Sequence, residues 1–256
     1  MKQIITMLLV IVTINAQAQK KEKLPLPLYV KGGLNANNVK ISNNSSISQA
    51  QGICINGSIG LETELPFVKG KEGKGLSLNP SLLYNPTTYT PSTNFNTTTY
   101  KQIQKVRVNY ITAELPINYN FNFKLLMGDV FSSKDLAPFF LGIGPYFSYA
   151  LSGRYKTLGI ENNQSVYGQE KMSFGNSIND NRTKTDAGIL IKLGINILHF
   201  RLALQKNIGL VNVYPKDRIV NGNVIKTRGF YSTISYALNR GKEEGLSKKR
   251  KKSHFF

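Results

Sequence analysis

Glu62 and Glu64 stand two residues apart, a spacing that puts both carboxylates on one face of an extended strand. Paired carboxylates can do general acid and base work, and they can equally serve as ion-pair partners for cations on the same face. Other chemistry is short of material. A Ser-His-Asp arrangement needs a positioned histidine, and the chain has two, His199 and His254. His199 falls in a tight turn between two apolar runs and His254 in a charged C-terminal stretch. The single cysteine, Cys54, forms neither an intramolecular disulfide nor a cysteine-based zinc site, and on a strand it reads as an inert small residue. No metal cluster and no cofactor motif emerges, so the expectation is a non-enzyme without a cofactor.

What those residues do depends on the elements that carry them. The chain has 256 residues with 33 Lys plus Arg against 14 Asp plus Glu, a formal charge of +19, yet only 18% are charged and 41% hydrophobic. That apolar content excludes a disordered polyelectrolyte. Trp is absent while Tyr and Phe number 13 each. At the N-terminus, Lys2 precedes an apolar run over residues 4–14 and the small-x-small triplet Ala16-Gln17-Ala18, which predicts a secretory signal peptide over residues 1–18. The run is too short for the ~20 residues of a spanning helix. An exported chain of this kind is either soluble or embedded as a β-barrel.

Strict alternation predicts the barrel. Over residues 53–65, Ile53, Ile55, Ile59, Leu61 and Leu65 alternate with polar and small residues. Residues 185–197 send Ala187, Ile189, Ile191, Leu193, Ile195 and Ile197 to one side, and residues 139–151 send Phe139, Leu141, Ile143, Phe147, Tyr149 and Leu151. The opposite side of that last segment carries Gly142, Gly144, Ser148 and Ala150, as a narrow lumen requires. Five weaker strands, at 28–35, 76–85, 106–117, 200–209 and 227–238, bring the total to eight, an even number that suits a closed bacterial barrel. In 106–117 the apolar parity changes, which predicts a β-bulge near Tyr110 to Thr112. Pro80 and Pro145 fall inside strands and each removes a ladder donor.

Outer-membrane barrels alternate short periplasmic turns with longer outer loops, and the connectors follow this alternation except for the second inner turn, which is longer than the rule predicts. The outer loops are expected at 37–51, 86–104, 153–184 and 211–226, and the inner turns at 66–75, 119–137 and 198–199. Aromatic girdles are expected from Phe139, Phe200 and Tyr236 at the inner rim and from Tyr84, Tyr149 and Phe230 at the outer. The organisation read from this is a signal peptide at 1–18, a periplasmic segment at 19–27, an eight-stranded antiparallel up-and-down transmembrane barrel at 28–238 and a basic tail at 239–256.

The chain resembles the PorT-like outer-membrane β-barrel family of Gram-negative bacteria. The resemblance rests on AQAQ at the end of the signal, LYVKGGLNANN at 28–38, YITAELPINYNF at 110–121, PFFLGIGPYFSYAL at 138–151, TDAGILIKLGINI at 185–197 and GFYSTISYAL at 229–238. It departs from the family in carrying Gln205-Lys206 before Gly209-Leu210 and in ending its last strand at Leu238. It implies an outer-membrane barrel with a structural, binding or accessory role, assembled by the outer-membrane machinery.

On the lumen parity fall Lys31, Glu62, Glu64, Arg107, Glu114, Asp186, Lys192 and Arg201. An eight-stranded barrel is only wide enough for side chains to fill, so these residues are expected to form a hydrogen-bonded plug, with Glu62 and Glu64 as ion-pair partners. The basic run at 248–252 imitates a nucleic-acid patch, but an exported chain meets little nucleic acid, and a solvated periplasmic tail is expected instead. Arg154, Lys156 and Lys171 in an outer loop would meet acidic groups of lipopolysaccharide. Outer-membrane lipid is then the main partner. The rival architecture is a secreted lipocalin-like barrel with the faces inverted, apolar inside and polar outside; an outer-membrane enzyme is the other alternative.

Overall fold

The computed structural model describes residues 27–42, 47–49, 54–69, 75–90, 103–121, 139–161, 164–197, 199–219 and 224–238. The expected signal peptide (1–18), nearly all of the expected periplasmic segment (19–27), the basic tail (239–256) and His254 lie outside them.

The strands are β1 (Leu28–Ser42), β2 (Ile47–Gln49), β3 (Cys54–Thr63), β4 (Leu65–Lys69), β5 (Gly75–Leu78), β6 (Ser81–Tyr89), β7 (Ile103–Glu114), β8 (Ile117–Phe121), β9 (Phe139–Glu161), β10 (Gln164–Lys171), β11 (Thr185–Ile197), β12 (Phe200–Gly209) and β13 (Val224–Ala237). Eight of them close a ring in the order β1-β3-β6-β7-β9-β11-β12-β13, every pair antiparallel. The seam is the β1–β13 pair, in register from Tyr29↔Ala237 to Ser42↔Val224. Closure leaves the ring without the free edges that a bilayer cannot hydrogen-bond.

Two prolines set where strands break and re-pair, and a third lies within a strand. Pro80 lies between β5 and β6 and Pro116 between β7 and β8, where a missing N–H interrupts the ladder. Neighbours use the proline carbonyls instead: Thr63 N–H donates to Pro80 (3.0 Å), Asn79 N–H to Pro116 (2.9 Å) and Leu115 N–H to Pro145 (3.0 Å). Pro145 itself stays within β9, opposite Ile189. On the inner side of these breaks β4, β5 and β8 pair with one another and with β9, so the first inner turn, expected over 66–75, begins and ends as strand.

On the outer side the strands also outrun the expected loop boundaries. β1 continues past Asn37 to Ser42 and β9 past Gly153 to Glu161, where it forms a hairpin with β10. The bulge lies in β9 rather than β7. Asn109 pairs with Ser152 and Tyr110 with Ala150, leaving Leu151 unmatched, while β7 buries Val106, Val108, Tyr110, Thr112 and Glu114 without a change of parity. What changes along β7 is the polarity of each face as the strand rises, and this imitates a phase shift in the sequence.

The outward face carries the apolar band. Leu34, Ile59, Leu61, Leu141, Ile143, Ile191, Leu193, Leu204 and Ile234 are all exposed. An aromatic rim closes it on the inner side, where Phe121 stacks on Tyr119 (5.9 Å) and Phe139 (6.1 Å) and Phe200 tilts against Tyr236 (5.2 Å). Tyr84, Phe147 and Phe230 are exposed toward the outer side. Such bands and girdles match the hydrocarbon core and its two interfaces. This outward apolar face excludes the inverted, lipocalin-like arrangement across the band.

Candidate functional site: a packed lumen and a basic outer wall

Alternation sends every second residue of each strand into the lumen, and its inner half is an ionic layer. Lys31, Glu62, Glu114, Lys192 and Arg201 are all buried. Lys31 Nζ donates to Glu114 (2.8 Å) and lies 3.5 Å from Glu62, and Lys192 Nζ donates to Glu62 (2.7 Å). The Arg201 guanidinium spans Glu62 and Glu64, so the two carboxylates two apart on β3 and its continuation share one cation. Glu64 sits at the rim of the layer, its side chain 17% exposed.

Three cations thus face three carboxylates, and the layer carries no net charge. Spare hydrogen-bonding capacity is taken up by neutral neighbours: Arg201 Nε donates to Asn196 (2.8 Å), Gln205 Nε2 and Ser81 Oγ to Glu114 (2.6 and 2.7 Å). Arg201 also lies over the rings of Tyr29 (4.6 Å) and Phe140 (5.2 Å). Phe140 is wholly buried in the lumen, and Gly194 opposite makes room for it, since a Cβ there would come within 2.3 Å of the Phe140 ring. Burying charge is tolerable only when it is paired and hydrogen-bonded, as it is here.

Above the ionic layer comes a polar one, made mostly of Asn, Thr and Tyr side chains with the carboxyl group of Asp186. Asn37 donates to Asn35 (2.6 Å), Asn35 to Asn85 (2.7 Å) and Asn85 to the Tyr231 hydroxyl (2.9 Å). Asp186 accepts from Thr227 (2.6 Å), whose hydroxyl also meets that of Tyr146 (3.3 Å). A cavity of about 20 Å³ beside Asp186 and Tyr110 has room for one water. Higher still the lumen turns apolar: Val39, Tyr89, Val106, Val108, Tyr110 and Ala150 form a buried cluster, covered by Tyr155, Met172, Phe174 and Ile225. Arg182, buried beneath the outer segment, donates to the Tyr89 hydroxyl (2.8 Å) and lies over the rings of Tyr89 and Tyr110. This apolar outer layer is not visible in the lumen parity read from polar residues alone.

Arg107 does not join the lumen. It is exposed on the outward face of β7, because without a bulge in that strand its parity is that of Ile111 and Ile117. There it has company: Lys105, Arg154, Lys156 and Lys171 are exposed on the same face of β7, β9 and β10. They line a cleft of about 830 Å³ together with Cys54, Ile55, Thr88 and Leu151. The cleft flanks the place where the ring pairing thins, since β3 and β6 pair only from Ile59↔Tyr84 to Glu62↔Ser81. Beyond that point Thr88 Oγ1 bridges to Asn56 (2.7 Å). Cys54, at the edge of the cleft, is a free thiol. Among the described residues no group of three or more His, Cys, Asp or Glu is placed to hold a metal ion.

Residues 15–214 match the family described as outer membrane protein beta-barrel domain. The chain belongs to this family of outer-membrane β-barrels. Its place is the outer membrane, and its exposed apolar band is the surface in contact with lipid. No curated protein matches the chain. Among solved structures it is similar to Ail, the attachment invasion locus protein of Yersinia pestis, at 7% identity over 83% of this chain and 99% of that one, with a TM-score of 0.36. It is similar to Neisserial surface protein A at 10% identity over 82% and 96%, with a TM-score of 0.36. It is also similar to the outer membrane protease OmpT of Escherichia coli at 9% identity over 85% and 99%, with a TM-score of 0.26.

Proposed function

We propose that this outer-membrane barrel is a non-enzymatic, non-conducting protein of the PorT-like kind, with a structural, binding or accessory role exerted at its outer end. The observation that carries this reading is the lumen, where Lys31, Lys192 and Arg201 are ion-paired to Glu62, Glu64 and Glu114 under a lid of apolar side chains. A lumen filled in this way offers ions no continuous water path. The same pairing speaks against acid and base catalysis by Glu62 and Glu64, since both share Arg201 beneath a closed outer half.

Residues 1–18 serve in this account as the export signal and residues 239–256 as a solvated periplasmic tail. The outer-membrane assembly machinery is the partner during insertion, and lipopolysaccharide the partner of the basic outer wall. Planar-bilayer recording of the refolded full chain tests the reading: no steady porin-like conductance is expected, and large stable steps would contradict it.

A further inference from the structure

The register of β7, β9 and β10 sets like charges directly against one another. Arg107 is opposite Arg154, and Arg154 is opposite Lys171 on its other side; one row outward, Lys105 is opposite Lys156. Side chains so paired stand about 5 Å apart at Cβ, where like charges destabilise a sheet, and the two rows are about 7 Å apart along the strands. Among the described residues none of these five cations has a carboxylate within ion-pair distance, in contrast to every cation of the ionic layer. Glu170, the carboxylate nearest in β10, has the other parity and accepts from the Tyr155 hydroxyl (2.5 Å). The cleft they line also contains Ile55 and Leu151, both largely exposed and continuous with the lipid-facing band.

Resting on the outer-end reading above, we infer that this cleft is a binding site for a phosphate-bearing glycolipid of the outer leaflet, the chemistry of lipopolysaccharide. Its phosphates are held by Arg107, Arg154 and Lys171 in one row and Lys105 and Lys156 in the other, and an acyl chain runs along Ile55 and Leu151. Charge complementarity selects the phosphates: two neighbouring rows of cations that have no carboxylate partner among the described residues are relieved by a polyanion. Guanidinium groups add forked hydrogen bonds to phosphate oxygens. The apolar floor selects a lipid over a soluble polyanion. The cations of the cleft stand on the outward face of the wall, just where that face turns from apolar to basic.

The test uses the refolded full chain in neutral detergent, titrated with purified lipopolysaccharide, with the same lipopolysaccharide after enzymatic dephosphorylation, and with dextran sulfate. The variant Arg107→Gln/Arg154→Gln/Lys171→Gln should bind lipopolysaccharide about tenfold more weakly or worse. Lys40→Gln/Lys226→Gln, which removes outward cations elsewhere on the rim, should change binding less than about twofold. Dephosphorylation should weaken binding to the wild type as much as the triple substitution does. In the absence of lipid the triple variant should unfold at a higher denaturant concentration than the wild type, because its repulsion is gone.

Equal losses in the two variants, indifference to dephosphorylation, or tight binding of dextran sulfate with none of lipopolysaccharide would each overturn the site. The unheated gel shift confirms folding; should the triple variant lose its compact band, Arg154→Gln alone, the central cation of its row, carries the comparison. A lost lipid site with a silent bilayer removes only this inference, whereas conductance with lipid binding intact removes the packed-lumen reading.

Discussion

At the level of the Ser81–Glu114 pair the lumen is charged and the outward face is apolar, whereas at the level of Val106 and Val108 the lumen is apolar and the outward face bears Lys105 and Arg107. One strand, β7, passes through both regimes with unbroken parity. The difference follows from the solvent on the outside. In hydrocarbon the outward row must be apolar, so the polar residues that complete the alternation turn inward and have to satisfy one another. Once the strands rise into water, the outward row becomes polar and the inward row packs as in a soluble barrel. The lipocalin-like pattern of faces is thus present, but only in the outer half.

The comparison can be broken most forcefully in the ionic layer. Glu62→Leu leaves Lys192 and Arg201 without their shared carboxylate, and should destabilise the barrel by about 3–5 kcal/mol in urea titrations in lipid vesicles. Next comes the lipid face. Ile191→Arg should cost about 2–4 kcal/mol by the same titration if the residue lies near the bilayer midplane. Arg107→Leu, on the outward face of the other half, should change stability by no more than about 0.5 kcal/mol.

Val108→Thr tests the outer core: it puts a hydroxyl into the buried cluster of Val39, Tyr89, Val106, Tyr110 and Ala150, and about 1–3 kcal/mol should be lost. The smallest effect is expected from deleting residues 239–256, which carry almost no apolar periodicity; the compact band of unheated samples should persist on gels.

The strands were legible because a period of two with bulky apolar residues on one side is dictated by lipid alone, as Ile189, Ile191 and Leu193 show in β11. The same parity places Lys31, Glu62, Glu114, Asp186, Lys192 and Arg201 where the structure buries them, although Asp186 stands apart from the ionic layer with Thr227. Arg107 escaped the reading for a physical reason. Polarity reports a residue's face only while the outside solvent stays the same, and between Ile111 and Arg107 the outward row of β7 turns from apolar to basic.

The bulge was sensed at the right height but in the wrong strand, since β9 holds the extra residue, Leu151, and no local signal in β7 distinguishes a bulge from a change of solvent. The apolar outer core was invisible because its members come from β1, β6, β7 and β9, each contributing only one to three residues. The cation rows were hidden as well, since Arg107, Arg154 and Lys171 become neighbours only through register.

The inversion of faces is best tested by spin labels at two outward positions, Ile143 and Arg107, each substituted by Cys in a Cys54→Ser background and reconstituted in lipid vesicles. Power saturation should find the label at 143 accessible to oxygen and shielded from a water-soluble nickel chelate, and the label at 107 the reverse. A label at 107 as oxygen-accessible and chelate-shielded as the one at 143 would place both in hydrocarbon and contradict the change of solvent along the wall.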